Sequence, residues 1–144
     1  MNVAADISIA DLAADLVPVV LRFIPAVRAV YLFGSSVEGR LRADSDVDLA
    51  ILAASPIAPE RLLDAAGACA RHLGRTADVV DLQTAPLVLQ AQIIGRGRRL
   101  AGLAVSREAD FFENQVLSRY CAFAEERGPL LHEVVRHRRI YGAG

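Results

Sequence analysis

An apolar run, Ala29-Val30-Tyr31-Leu32-Phe33, stops at Gly34-Ser35. Ten residues later Asp46-Val47-Asp48 leads into a second run, Leu49-Ala50-Ile51-Leu52. The first run has the composition of a buried strand. The second alternates with period two, which puts Asp46 and Asp48 on one face and Val47, Leu49 and Ile51 on the other. Two carboxylates that close repel each other, and neither can be buried without compensation. A divalent cation supplies it, and carboxylate oxygens holding Mg²⁺ beside a phosphate are the usual form of such a site. Gly34, at the end of the preceding strand, lets backbone N–H groups approach phosphate oxygens, and Ser35 adds a hydroxyl donor. Alone, Asp-x-Asp reads more readily as two surface acids, and Gly-Ser as an ordinary turn. The spacing distinguishes them: the ten intervening residues return the chain antiparallel or adjacent to the first strand, setting the turn against the carboxylate pair.

A third acid is expected on a neighbouring strand. Ala77-Asp78-Val79-Val80-Asp81-Leu82 has strand character, and alternation puts Asp78 and Asp81 on opposite faces, so only one can join the site. Asp78, between Ala77 and Val79, is the favoured candidate. Asp81, near the strand end, has a capping or turn role as its alternative.

The remaining chain supplies helices around these strands. Ser8 and Asp11 resemble a capping box, and Ile9, Leu12, Leu16, Val19, Val20 and Phe23 recur at helical spacing, with a kink expected at Pro18 and an end at Pro25. Glu60 to Leu73 has helical periodicity, closed by Gly74. Pro86 to Gly95 predicts a short helix and Arg98 to Ala101 a short strand. Ser106 to Tyr141 is helical in pattern, interrupted at Gly128-Pro129.

Composition removes several chemistries. All 16 basic residues among the 144 are arginine, so no Walker lysine, Schiff base or lysine nucleophile is available. A net charge of −1 argues against direct nucleic-acid binding. The charge is uneven: residues 1–94 hold seven Arg and eleven acids, residues 95–144 nine Arg and six acids. Cys69 and Cys121 match neither a metal spacing nor a disulfide framework, which points to a reducing cytoplasm. The acidic N-terminus lacks the positive charge of a signal peptide, and no apolar run approaches a membrane span, because Arg22, Arg28 and Arg40 interrupt the longest stretch. His72, His132 and His137 follow no metal spacing. Cys69, Phe111, Phe112 and Tyr120 are expected to pack, while Glu113 and Arg119 could face a nucleotide or a partner.

The stretch LFGSSVEGRLRADSDVDLAIL, with ADVVDL beyond it, resembles the nucleotidyltransferase superfamily that includes DNA polymerase β, in its minimal-nucleotidyltransferase branch. Residues 107–142 resemble the C-terminal helices of MntA-type antitoxins, adenylyltransferases paired with HEPN-domain toxins. The resemblance implies an α+β fold: a mixed sheet of three to five strands with helices packed on it and a C-terminal helical segment. A single domain would span 1–144, with a catalytic core at about 28–104 and C-terminal helices at 106–141. It further implies two Mg²⁺ ions held by Asp46, Asp48 and Asp78, and ATP phosphates held by Gly34 and Ser35. AMP would pass to a tyrosine hydroxyl of a cognate HEPN toxin. Where the family often carries a cation before its second glycine, this chain has Glu38, so Arg40 or Arg42 would have to contact the triphosphate. Two other functions fit the same residues: nucleotidyl transfer to a small hydroxylated molecule such as an aminoglycoside, and an antitoxin that acts by binding alone.

Overall fold

A computed structural model describes residues 9–34, 46–100 and 106–123. Helix α1 (Ile9–Phe23) leads into β1 (Val27–Phe33), and β2 (Val47–Ala53) pairs with it antiparallel. Helix α2 (Pro59–Leu73) then carries the chain over to β3 (Ala77–Asp81), which lies parallel to β2. A 3₁₀ turn (Leu82–Thr84), α3 (Leu87–Arg96), the two-residue β4 (Arg98–Arg99) and α4 (Arg107–Phe123) follow. The sheet order is β3-β2-β1-β4, a mixed four-stranded sheet within the predicted range, and the fold is α+β.

Strand alternation sorts the core into two layers. Leu32, Val47, Leu49, Ile51 and Ala77 face α1 and α2, where they meet Leu12, Leu16, Val20, Ala65 and Cys69. Tyr31, Ala50 and Leu52 face the other side and meet Ile93 of α3 and Ala109 of α4, with Phe33, Val80 and Phe112 packed at the margin. Helix α1 continues through Pro18, because the burial of Leu12, Leu16, Val17 and Val20 holds the turns on either side of the missing N–H. Pro59 sits in the first turn of α2, where a missing N–H leaves no bond unmade, and Gly74 ends the helix in the left-handed region (φ +69°).

Several boundaries differ from the sequence expectation. β1 starts two residues early, across a bulge between Val27 and Ala29. Leu82 leaves the strand because the Asp81 carboxylate accepts the Gln83 N–H and turns the chain into the 3₁₀ segment. The last strand is only Arg98–Arg99, although the Leu100 N–H still donates to the Val30 carbonyl at 2.7 Å. The Ser8 cap, the 37–42 connection and the expected helices beyond Phe123 lie outside the described residues.

Candidate active site

Because β1 and β2 run antiparallel while β2 and β3 run parallel, the C-terminal end of β1 meets the N-terminal ends of β2 and β3 at one edge of the sheet. The functional candidates gather there. Asp48 lies opposite Phe33 on one side and opposite Asp78 on the other. Asp46 is exposed one residue before β2, Asp48 is half-buried, and Asp78 is exposed. Burial first, and then the negative charges of Asp78 and Asp46, hold the Asp48 carboxyl above the usual carboxylate range. Each of these influences disfavours the ionised form, and among the described residues no basic group offsets them.

Gly34 follows Phe33 and adopts φ +83°. A Cβ placed there would overlap Asp48 Oδ2 and lie 3.2 Å from its Cγ. Glycine is therefore required twice over: by the backbone conformation, and by the carboxylate lying against its α-carbon. The sequence suggested glycine for its approach to phosphate, and the fit against Asp48 adds a second reason. Ser35, Arg40 and Arg42 lie outside the described residues.

The two acids of β3 separate cleanly. Asp78 shares a sheet face and a register position with Asp48. Asp81 turns to the opposite face and is 7% exposed. Its Oδ2 accepts the Ile57 N–H and its Oδ1 the Gln83 N–H, both at 3.1 Å, so it joins the β2–α2 loop to the turn after β3. Both of its oxygens are committed to backbone.

Among the described residues, no three His, Cys, Asp or Glu side chains converge as a preformed metal cage. The donor set nonetheless suits Mg²⁺, which takes one or two carboxylates and completes its octahedron with waters and substrate phosphates. Asp46, Asp48 and Asp78 offer hard oxygens only, and their mutual repulsion is what a bound divalent cation would relieve.

On the same sheet face lies a group that sequence reasoning did not assemble. Glu113 of α4 is 3% exposed and accepts the Tyr31 hydroxyl at 2.5 Å. Arg99 donates to it through Nε (3.2 Å) and Nη2 (2.5 Å), and Nη2 also reaches Asp110 at 2.9 Å. The Arg99 guanidinium sits 5.9 Å from the Tyr31 ring centroid. Burial, and then the Glu113 charge, drive the phenol well above its ordinary range, so Tyr31 remains a donor. Glu113 therefore faces neither nucleotide nor partner. The available signal was its place in the stripe Ala109-Glu113-Val116-Tyr120, at apolar helical spacing. Tyr120 and Cys69 are buried as expected, with burial pushing the thiol up to about 11. Phe111, expected to pack, is 64% exposed because it lies on the outer face of α4. His72 is on the surface, 3.8 Å from Asp15.

A mixed sheet with a glycine turn, an Asp-x-Asp strand start and a third acid in register is the architecture of a nucleotidyltransferase. The family model for the polymerase beta nucleotidyltransferase domain matches residues 19–103, and the chain belongs to that family. It is 31% identical over 112 residues to the protein adenylyltransferase MntA of Shewanella oneidensis, covering 78% of this chain and 79% of the relative. A toxin–antitoxin crystal structure with AMP-PNP aligns with a TM-score of 0.70 at 29% identity, over 85% of this chain and 97% of that one. The tri-AMPylated Shewanella oneidensis HEPN toxin in complex with MNT antitoxin aligns at 0.66 and 27%, over 85% and 95%.

Proposed function

We propose that the protein is an antitoxin that transfers AMP from ATP to a tyrosine hydroxyl of a cognate HEPN-domain toxin and so neutralises it. The observation that carries this reading is the register of Asp48 with Asp78 beside Gly34, in a chain whose relative is a protein adenylyltransferase. Asp46 and Asp48 hold the nucleotide end of the site, and Asp78 faces the acceptor. The backbone at Gly34, with the hydroxyl of Ser35, binds the β- and γ-phosphates. Bound Mg²⁺, two ions in this reading, would be held by Asp46, Asp48 and Asp78 and would neutralise charge on the triphosphate.

In the transfer, the acceptor oxygen forms a bond to the α-phosphorus. The bond from that phosphorus to the bridging oxygen breaks, and pyrophosphate leaves with the electron pair. Asp78 is the carboxylate placed to orient the acceptor hydroxyl and take its proton. Catalysis is then positioning and charge stabilisation, without a covalent enzyme intermediate.

No described helix is long and apolar enough to cross a membrane. With two free cysteines, the cytoplasm is the compartment that fits. Co-expression with a HEPN partner followed by intact-mass measurement tests the function. The partner gains one or more AMP units with the wild-type protein and none with Asp46→Ala. An unchanged partner mass with active wild-type protein and Mg²⁺-ATP refutes it.

A further inference from the structure

Among the described residues, β3 is an edge strand whose outer side is unpaired. Its register with β2 determines which groups point outward: the Val47 N–H donates to the Thr76 carbonyl at 2.9 Å, so Asp78 and Val80 turn their backbone groups toward β2. The N–H and C=O of Ala77 and Val79 point away from the sheet, and among the described residues nothing bonds to them. An exposed edge of this kind is a template for another extended chain.

The position of this edge gives it a specific use. A residue paired directly with Asp78 on an added strand points to the same face as Asp78, with Cβ atoms about 4.5–5.5 Å apart. Asp48 stands in register on the far side of Asp78. A side chain delivered that way enters the carboxylate site from the open flank. Beyond the C-terminal end of β3, on the sheet face that α4 covers, lies a groove of about 670 Å³, lined by Gln83, two residues beyond the strand, and by Phe111, Phe112, Gln115 and Arg119 of α4. Phe111 is the exposed aromatic on that wall, and Val80 and Phe112 belong to one apolar cluster that links the groove to the strand.

We infer that the acceptor segment of the partner toxin docks in extended form along the outer edge of β3, placing its hydroxyl-bearing side chain opposite Asp78, and that its continuation anchors in the groove between Gln83 and α4. The inference rests on the adenylyl-transfer reading above and names how the acceptor reaches that site. Main-chain bonds to Ala77 and Val79 set the register. The groove, with two phenylalanines, amide side chains and one arginine, takes a mixed apolar and polar flank. A small-molecule acceptor would use neither feature.

Two measurements on the full-length protein decide it. Hydrogen exchange of the free antitoxin and of its toxin complex should show the Ala77 and Val79 amides exchanging fast when free and at least tenfold slower when bound. Phe111→Asp, on an exposed side chain, should raise KM for the toxin at least tenfold while leaving Mg²⁺–AMP-PNP binding unchanged. Unprotected Ala77 and Val79 amides in the complex, or unaltered toxin KM in Phe111→Asp, would overturn the docking mode. If the wild-type protein bound the toxin and transferred no AMP, the transfer reading would fall, and amide protection alone would still decide where the segment lies.

Discussion

Asp48 and Asp78 occupy the same register position on adjacent parallel strands and point to one face of the sheet, so each lies in the other's field. With no basic group among the described residues to offset the burial and repulsion at Asp48, this pair is unfavourable to the unliganded fold and favourable to a cation-bound complex.

Asp48→Asn should therefore inactivate the protein and stabilise it. Because the native carboxyl titrates above its ordinary 3.8, the stability tied to its protonated form is complete below that value and is lost as pH rises through the native pKa. The variant should melt about 2–4 °C above wild type at pH 7. The difference should shrink as the pH is lowered into the acid range. Calorimetry across pH checks this, and millimolar Mg²⁺ with AMP-PNP should raise the melting temperature of wild type only.

Asp78→Asn and Asp81→Asn should fail in opposite ways. The first removes an exposed carboxylate from the site, so AMP transfer should drop by at least a hundredfold with the melting temperature held or raised. The second weakens two backbone N–H contacts at a buried position and should destabilise by about 1–3 kcal/mol. The folded fraction of that variant should keep its activity. Urea titrations paired with transfer rates on the same samples distinguish the two.

Gly34→Ala introduces a side chain into both a left-handed backbone position and the space held by Asp48. The strain should cost about 1–3 kcal/mol, and relief by moving Asp48 should cost more than a hundredfold in kcat/KM. Steady-state kinetics with ATP varied give the measurement.

Arg99→Met removes the guanidinium that reaches the buried Glu113 carboxylate through two nitrogens and leaves that charge without its cation. A loss of about 3–5 kcal/mol is expected, against about 1 kcal/mol for Tyr31→Phe, which spares the ion pair. The double variant Arg99→Met/Glu113→Leu should recover much of the loss, as denaturant unfolding would report.

Much of the site was legible because its pieces are local. Period-two alternation placed Asp46 and Asp48 together, and the face argument kept Asp78 apart from Asp81. Strands β1 and β2 and helix α2 were legible for the same reason, since one periodic stripe decides each. Long-range relationships were hidden. The pressure of Asp48 on Gly34 depends on strand register, and the Tyr31–Glu113 bond joins residues 82 positions apart in sequence. Phe111 was misjudged because aromatic composition says nothing of which side of α4 it occupies. Leu82 was assigned to a strand because the competing Asp81–Gln83 bond depends on side-chain placement that no apolar pattern encodes.

The alternation that builds the site also proofreads the fold. If β2 slipped by one residue against its neighbours, Asp48 would enter the layer where Leu12, Leu16 and Cys69 pack, and Val47, Leu49 and Ile51 would leave it. Sinking an unpaired carboxylate there carries a penalty of several kcal/mol, comparable to the whole stability of a small domain. A chain that misaligns its strands therefore cannot persist as an inactive look-alike, and the acids that strain the correct fold are the same ones that exclude its nearest competitor.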